Sequence, residues 1–113
     1  MPRPRRFLFN KTLVFVTTSV EEGLLLNPNP LINAIVESAL ARAQALHPVK
    51  ICDFLIEPTH GHIMLMVEDP EHVKGFMERF KTESAHAINR LLGRKKRTVW
   101  CAGYDSPIVL TPE

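Results

Sequence analysis

The sequence has few cysteines and no long apolar run, and each shortage excludes a class of protein. Only two of the 113 residues are cysteines, Cys52 and Cys101, and they lie far apart and outside any Cys-x-x-Cys pair. A structural zinc site needs more cysteines or closer spacing, so we expect two free thiols, as in a reducing compartment. No apolar run approaches the roughly 20 residues that span a bilayer. We therefore expect no membrane segment.

The formal net charge is only +2, so its distribution says more than its size. Basic residues cluster at both ends of the chain: Arg3, Arg5, Arg6 and Lys11, then Arg90, Arg94, Lys95, Lys96 and Arg97. Two basic clusters on a nearly neutral chain indicate a polyanionic partner, and a solvated tail and loop are the alternative. Since no secretory h-region follows the basic start, we expect a cytoplasmic protein.

Apolar periodicity and turn residues predict one small domain over residues 1–113 with six elements. The elements are strands over residues 12–18, 49–56 and 62–67, helices over 31–46 and 71–92, and further strand material at 98–102 and 107–110. The short connection at 57–61 predicts an antiparallel hairpin. This β-α-β-β-α-β order is that of an α+β, ferredoxin-like fold, in which two helices cover one face of an antiparallel sheet.

The strongest local signal is His60-Gly61-His62. Residues i and i+2 of a strand point to the same face, so two imidazoles spaced in this way can converge on one divalent ion. Hydrogen bonding of both rings to backbone or water is the structural alternative. Met64 and Met66 continue the histidine face, and the opposite face is also apolar, which predicts a central strand covered on both sides.

Basic residues near and after the second helix are predicted to contact DNA phosphates, which positions a strand without reading its sequence. They are Lys81, Arg90, Arg94, Lys95, Lys96 and Arg97. Trp100 could stack on a base, although a lone tryptophan in a strand is more often part of the core. Tyr104 is the only tyrosine, and aromatic packing at a strand edge is its commoner role.

Three of these motifs, in this order, resemble the single-tyrosine HUH transposases, most of all the REP-associated tyrosine transposases and small insertion-sequence enzymes. The stretch FLIEPTHGHIMLMV resembles the family's His-hydrophobic-His strand. Phe80-Lys81-Thr82 with Asn89-Arg90 resembles its long helix, and Trp100 with Gly103-Tyr104 resembles its tryptophan-then-tyrosine strand. The resemblance extends from about Val14 to Leu110.

The resemblance implies a mechanism for DNA transposition. His60 and His62 would hold Mg or Mn on the scissile phosphate of single-stranded DNA, often with hairpin ends. A tyrosine would then attack the phosphate, forming a 5′-phosphotyrosine bond and releasing a free 3′-hydroxyl, and the covalent intermediate would allow the DNA strand to be rejoined later. The family works as dimers, so a homodimer is expected.

The sequence also departs from the family pattern. Gly61 replaces a bulky hydrophobe, which is expected to remove a packing anchor and loosen the strand register. The family's nucleophile and third metal ligand lie on a further helix, whereas Tyr104 matches a non-catalytic strand tyrosine. We therefore expect a domain that lacks the tyrosine-bearing helix and has no catalytic residue in these 113 residues. Two alternatives stay open: a non-catalytic DNA-binding module derived from a transposase domain, and a small α+β protein that dimerises through its sheet, with structural histidines.

Overall fold

The computed structural model describes residues 11–27 and 29–110, and the basic residues predicted near the start, from Arg3 to Arg6, lie outside them. Its elements are β1 (Thr12–Ser19), α1 (Pro30–Leu46), β2 (Val49–Ile56), β3 (His60–Val67), α2 (His72–Leu92) and β4 (Ile108–Leu110). The predicted strand at 98–102 is wrong, because this segment contributes only an isolated bridge between Trp100 and Val20. In the described part of the chain, no helix is both long and apolar enough to cross a membrane.

The four strands form one sheet in the order β2-β3-β1-β4, and each neighbouring pair is antiparallel. A split β-α-β arrangement produces this order, because β3 inserts between β1 and β2 and each helix crosses over a strand. The α+β class predicted from the sequence is confirmed, and β3 is central. The register places His62 beside Thr17 of β1 and Leu55 of β2.

The start of α1 and the end of α2 carry clear local signals. The Asn29 side chain accepts a hydrogen bond of 3.0 Å from the Ile32 amide, and Pro30 occupies the first turn. Asparagine is a favoured N-cap residue because its side-chain oxygen accepts a hydrogen bond from a free amide of the first turn. Proline suits the first helical position because it has no amide hydrogen that needs a partner. Gly93 ends α2 with φ of 69°, a left-handed conformation that glycine adopts without steric cost.

The two faces of the sheet differ in their cover. One face packs under α1 and α2, where Val16 and Leu65 are fully buried. On the other face, the side chains are only half-buried: Leu13, Phe15, Thr17, His60, His62, Met64 and Met66. Within the described residues, helices therefore cover only one face of β3, and the expected cover of its other face stays a prediction.

Gly61 provides a packing site for Trp100. A Cβ at Gly61 would lie 3.3 Å from both Ile56 Cδ1 and Trp100 Cζ3, so the indole fills the space that a side chain would take. The Trp100 Nε1 donates a 2.8 Å hydrogen bond to Ser84 Oγ, which fixes the ring in the core. The pairing is regular through Gly61 on both sides, and the irregularity of β2 lies between Ile51 and Asp53. The expected loosening at Gly61 is therefore wrong.

Candidate metal site and nucleic-acid surface

The two histidines of β3 lie side by side on the open face of the sheet. Their ring centroids are 6.1 Å apart, and the ring planes differ by 17°. Phe15 of β1 packs against His62 at a centroid distance of 5.7 Å. The strand alternation that buries Gly61 and Ile63 beneath the helices turns both imidazoles to the same, half-exposed surface.

Hydrogen bonds hold the rings in place. The Glu57 carboxylate accepts from His62 Nε2 at 2.7 Å, and the Thr17 hydroxyl bonds the other nitrogen of that ring at 3.2 Å. His60 Nδ1 pairs with the Thr59 hydroxyl at 2.8 Å. His62 thus uses both ring nitrogens, whereas these contacts occupy only one nitrogen of His60.

The donor groups suit a divalent ion. Imidazole and carboxylate both bind Mn, and Mg accepts such a site when a phosphate supplies further oxygens. A metal about 2 Å from a ligating nitrogen lies about 3 Å from the ring centroid, so two rings on one ion have centroids at most about 6 Å apart. The spacing of His60 and His62 is at that limit, so the rings must turn toward each other. As placed, no three His, Cys, Asp or Glu side chains of residues 11–27 and 29–110 form a set that could hold an ion.

A cavity of about 230 Å³ opens beside His60. Its lining combines the ends of β1 and β3 with the loop before β4: Thr17, Ser19, His60, Cys101, Ala102, Gly103, Tyr104 and Asp105. Burial, and then the charge of Glu78, raises the pKa of the Tyr104 hydroxyl. A raised pKa opposes formation of the tyrosinate, so these surroundings do not favour Tyr104 as a nucleophile.

Lys81 supports the loop that lines this cavity. Its ammonium group donates to the carbonyl oxygens of Cys101 at 2.9 Å and Gly103 at 2.6 Å, and it lies 5.6 Å from the centroid of the Tyr104 ring. Burial lowers the pKa of Lys81, and the Cys101 thiol partly opposes that effect. Of the six residues predicted to contact DNA, Lys81 is therefore the one held against the loop beside His60.

Four of the other predicted DNA contacts converge at the C-terminal end of α2. These four residues are Arg90, Arg94, Lys96 and Arg97, and they line a cavity of about 610 Å³. The rest of the lining comes from α2: Thr82, Ala85, His86 and Asn89. Lys95 is exposed in the same loop. We call Arg90 and Arg94 to Arg97 the basic cluster.

The loop of the basic cluster is tied back to α2. The Asn89 side chain donates to the Arg97 carbonyl at 2.8 Å, and Arg94 donates from its backbone to the Asn89 carbonyl and from its side chain to the Thr98 carbonyl. Asn89 Oδ1 and Arg94 Nη1 are buried without a hydrogen-bond partner. This turn therefore displays Lys95, Lys96 and Arg97, whereas Arg94 is half-buried and bonded to the turn itself.

Glu57 and Thr17 were missed in the sequence, although the pattern contained a signal for Glu57. Only Pro58 and Thr59 separate it from His60, and the backbone hydrogen bonds between Glu57 and His60 close a two-residue hairpin turn. Residues that face each other across such a turn share a face of the sheet. Thr17 could be identified only from the pairing of β1 with β3, which is a long-range contact.

Comparisons with known proteins agree with this architecture. The model of the family described as "Transposase IS200 like" matches residues 12–110. A candidate transposase from Deinococcus radiodurans R1 superimposes with a TM-score of 0.70 at 14% identity, over 88% of this chain and 80% of that one. A REP-associated tyrosine transposase bound to a REP hairpin gives a TM-score of 0.54 at 13% identity, over 88% of this chain and 57% of that one. The search of curated proteins found no match.

Proposed function

The chain belongs to the IS200-like transposase family, and from this premise we propose that it serves DNA transposition by holding single-stranded DNA at a divalent ion bound to His60 and His62. The observation that carries the proposal is the pair of imidazoles on one half-exposed sheet face, 6.1 Å apart, within a family-like strand. The proposed reaction is cleavage and rejoining of DNA through a phosphotyrosine.

His60 and His62 would be the protein ligands to Mn or Mg. When bound, such an ion supplies Lewis-acid polarisation of a phosphate oxygen and a template for the DNA strand. Thr17 and Phe15 keep His62 in place by a hydrogen bond and by ring packing. Orientation of a metal-binding histidine by its neighbours is a regular part of such sites.

We propose that the basic cluster binds the DNA backbone. All of its residues except Lys95 line one cavity, and cations there neutralise phosphates without reading sequence. A structural relative with this fold is bound to a REP hairpin, which makes a hairpin end a reasonable substrate for this chain. Lys81 would act at the His60 cavity, whose loop it holds.

Three further parts of the function are proposals. Tyr104 is not the nucleophile, because burial and the charge of Glu78 raise its pKa and oppose its ionisation. A second subunit covers the half-exposed apolar face around Phe15, Met64 and Met66, giving a homodimer. The protein acts in the cytoplasm, where bacterial DNA lies.

Calorimetric titration with Mn tests the metal site. Wild type should bind one ion, and the double variant His60→Ala/His62→Ala should lose binding. His72→Ala is the matched control, because His72 lies in the first turn of α2, on the helix-covered side of the sheet, and should leave the affinity unchanged. Equal binding by all three proteins would reject the metal assignment. If the metal assignment fails, DNA binding by the wild-type protein would favour the metal-independent DNA-binding module. Absence of DNA binding would favour the small α+β protein with structural histidines.

The salt dependence of DNA binding tests the basic cluster. Replacement of Arg94, Lys95, Lys96 and Arg97 by Ala should weaken binding to many single-stranded sequences alike. The slope of log affinity against log salt should also flatten, by roughly 0.7 for each phosphate that is no longer neutralised. Lys95→Ala and Lys50→Ala form a matched pair of single charge removals, since Lys50 lies at the far end of β2. An unchanged slope in the quadruple variant would contradict the proposed DNA surface.

A further inference from the structure

We propose that Glu57 is the third protein ligand of the ion, so that one hairpin supplies a Glu-His-His set once His60 turns toward the other two side chains, which as placed do not form such a set with it. This inference rests on the proposed function. It departs from the expectation that the third ligand lies on a further helix. The set would comprise Glu57, His60 and His62, all within a six-residue stretch of the sequence.

The hairpin places the three side chains on one face. Glu57 and His60 exchange backbone hydrogen bonds of 2.8 Å and 3.3 Å, so they face each other directly across the turn. The register continues with Ile56 opposite Gly61 and Leu55 opposite His62. Because side chains alternate along each strand, Glu57 and His62 are diagonal neighbours on the same side as His60.

The Glu57 carboxylate already lies at ligand spacing from His62. Its Oε1 atom is 2.7 Å from Nε2. Two ligands that occupy adjacent positions around an ion, each at about 2.1 Å, are separated by about 3 Å. An ion bound by both atoms would lie beside the line that joins them, so the His62 ring and the Glu57 carboxylate must turn toward it, while their spacing can stay nearly unchanged. The remaining change is a turn of His60, whose ring contacts are to Thr59 and His62.

Stability gives a weak reason for the Glu57–His62 contact. The side chain of Glu57 is 51% exposed and that of His62 is 23% exposed. Ion pairs at such positions contribute little to folding, because water screens them. The contact instead places a carboxylate on the proposed metal-binding face, beside the two half-exposed imidazoles. A carboxylate there would also reduce the net charge of the bound ion.

Titration of Mn into four proteins tests the assignment: wild type, Glu57→Gln, Glu37→Gln and His60→Ala/His62→Ala. Glu57→Gln preserves size and can still accept a hydrogen bond from His62, but it removes the anionic ligand. We expect at least about a tenfold loss of Mn affinity, the lower end of what loss of a partner costs a metal site. Glu37→Gln is the matched control, because Glu37 is exposed on α1 and should bind as wild type does.

A second readout distinguishes a ligand from a residue that only orients His62. Water-proton relaxation counts the waters on bound Mn, and Glu57→Gln should carry one more than wild type. Weaker binding with an unchanged water count would make Glu57 a positioning residue and overturn the assignment. Affinity equal to that of Glu37→Gln would overturn it as well, and loss of binding in the double histidine variant would then leave the proposed function standing. Failure of wild type to bind Mn would reject both.

Discussion

The two faces of the sheet differ in burial and in the residues they carry. On the face beneath the helices, Val16 and Leu65 are fully buried and belong to a continuous core. On the opposite face, the alternate residues of the same strands include Thr17 and His62, which are half-buried and hydrogen bonded to each other. Because side chains alternate between the two faces of a strand, the residues that stabilise the fold lie on one face and the candidate site residues lie on the other. A one-residue slip of β3 would exchange them, so the buried face also fixes the position of the histidines.

The largest expected effect separates the two faces by single truncations on β3. Leu65→Ala removes a fully buried side chain and should lower the free energy of unfolding by about 2–5 kcal/mol. Met66→Ala, its half-buried neighbour on the open face, should cost about 1 kcal/mol or less. Urea unfolding of both variants measures the difference.

The same pair of variants examines the proposed dimer. If a second subunit covers the open face, the cost of Met66→Ala should grow with protein concentration, because association stabilises the folded state by mass action. The cost of Leu65→Ala should grow less. Sedimentation of wild type at high concentration gives an independent measure, and a monomer there would contradict the dimer.

At Gly61, on the covered face of β3, neighbouring side chains leave no room for a side chain. Gly61→Val should destabilise the fold by about 1–3 kcal/mol, because its branches would meet Ile56 and Trp100, which a Cβ alone would approach to 3.3 Å. Trp100→Leu should relieve part of that cost, so the two substitutions should be non-additive in a double-mutant cycle. Additive losses would mean that the indole does not fill the space above Gly61.

Local signals predicted most of the fold. The predicted bounds of the two helices and of β1, β2 and β3 each depend on neighbouring residues, and the structure has these elements to within two residues. The failures concern long-range contacts. The chain around Trp100 has strand-like residues but forms only one bridge, because its indole packs inward against Phe80 and Ser84.

The candidate site was predictable to a similar extent. The spacing of His60 and His62 predicted a shared face, and the structure brings the two rings together. The partners of His62 depend on pairing: Thr17 lies 45 residues away in the chain, so spacing could not indicate it. Glu57 was within reach, since the two-residue turn sets it opposite His60. The grouping of the basic cluster around one cavity depends on how the loop folds back on α2.

The smallest expected effect concerns Tyr104, at the edge of the open face. Burial raises its pKa above the ordinary value of about 10. Because the folded value is the higher one, the stabilisation that Tyr104 provides is fully present below the ordinary pKa and is lost as the pH rises through the folded value. As the only tyrosine, it can be followed by its ultraviolet absorbance in an alkaline titration, with the denatured chain as the reference. A folded midpoint at or below that of the denatured chain would reveal an activated hydroxyl and make Tyr104 the nucleophile after all.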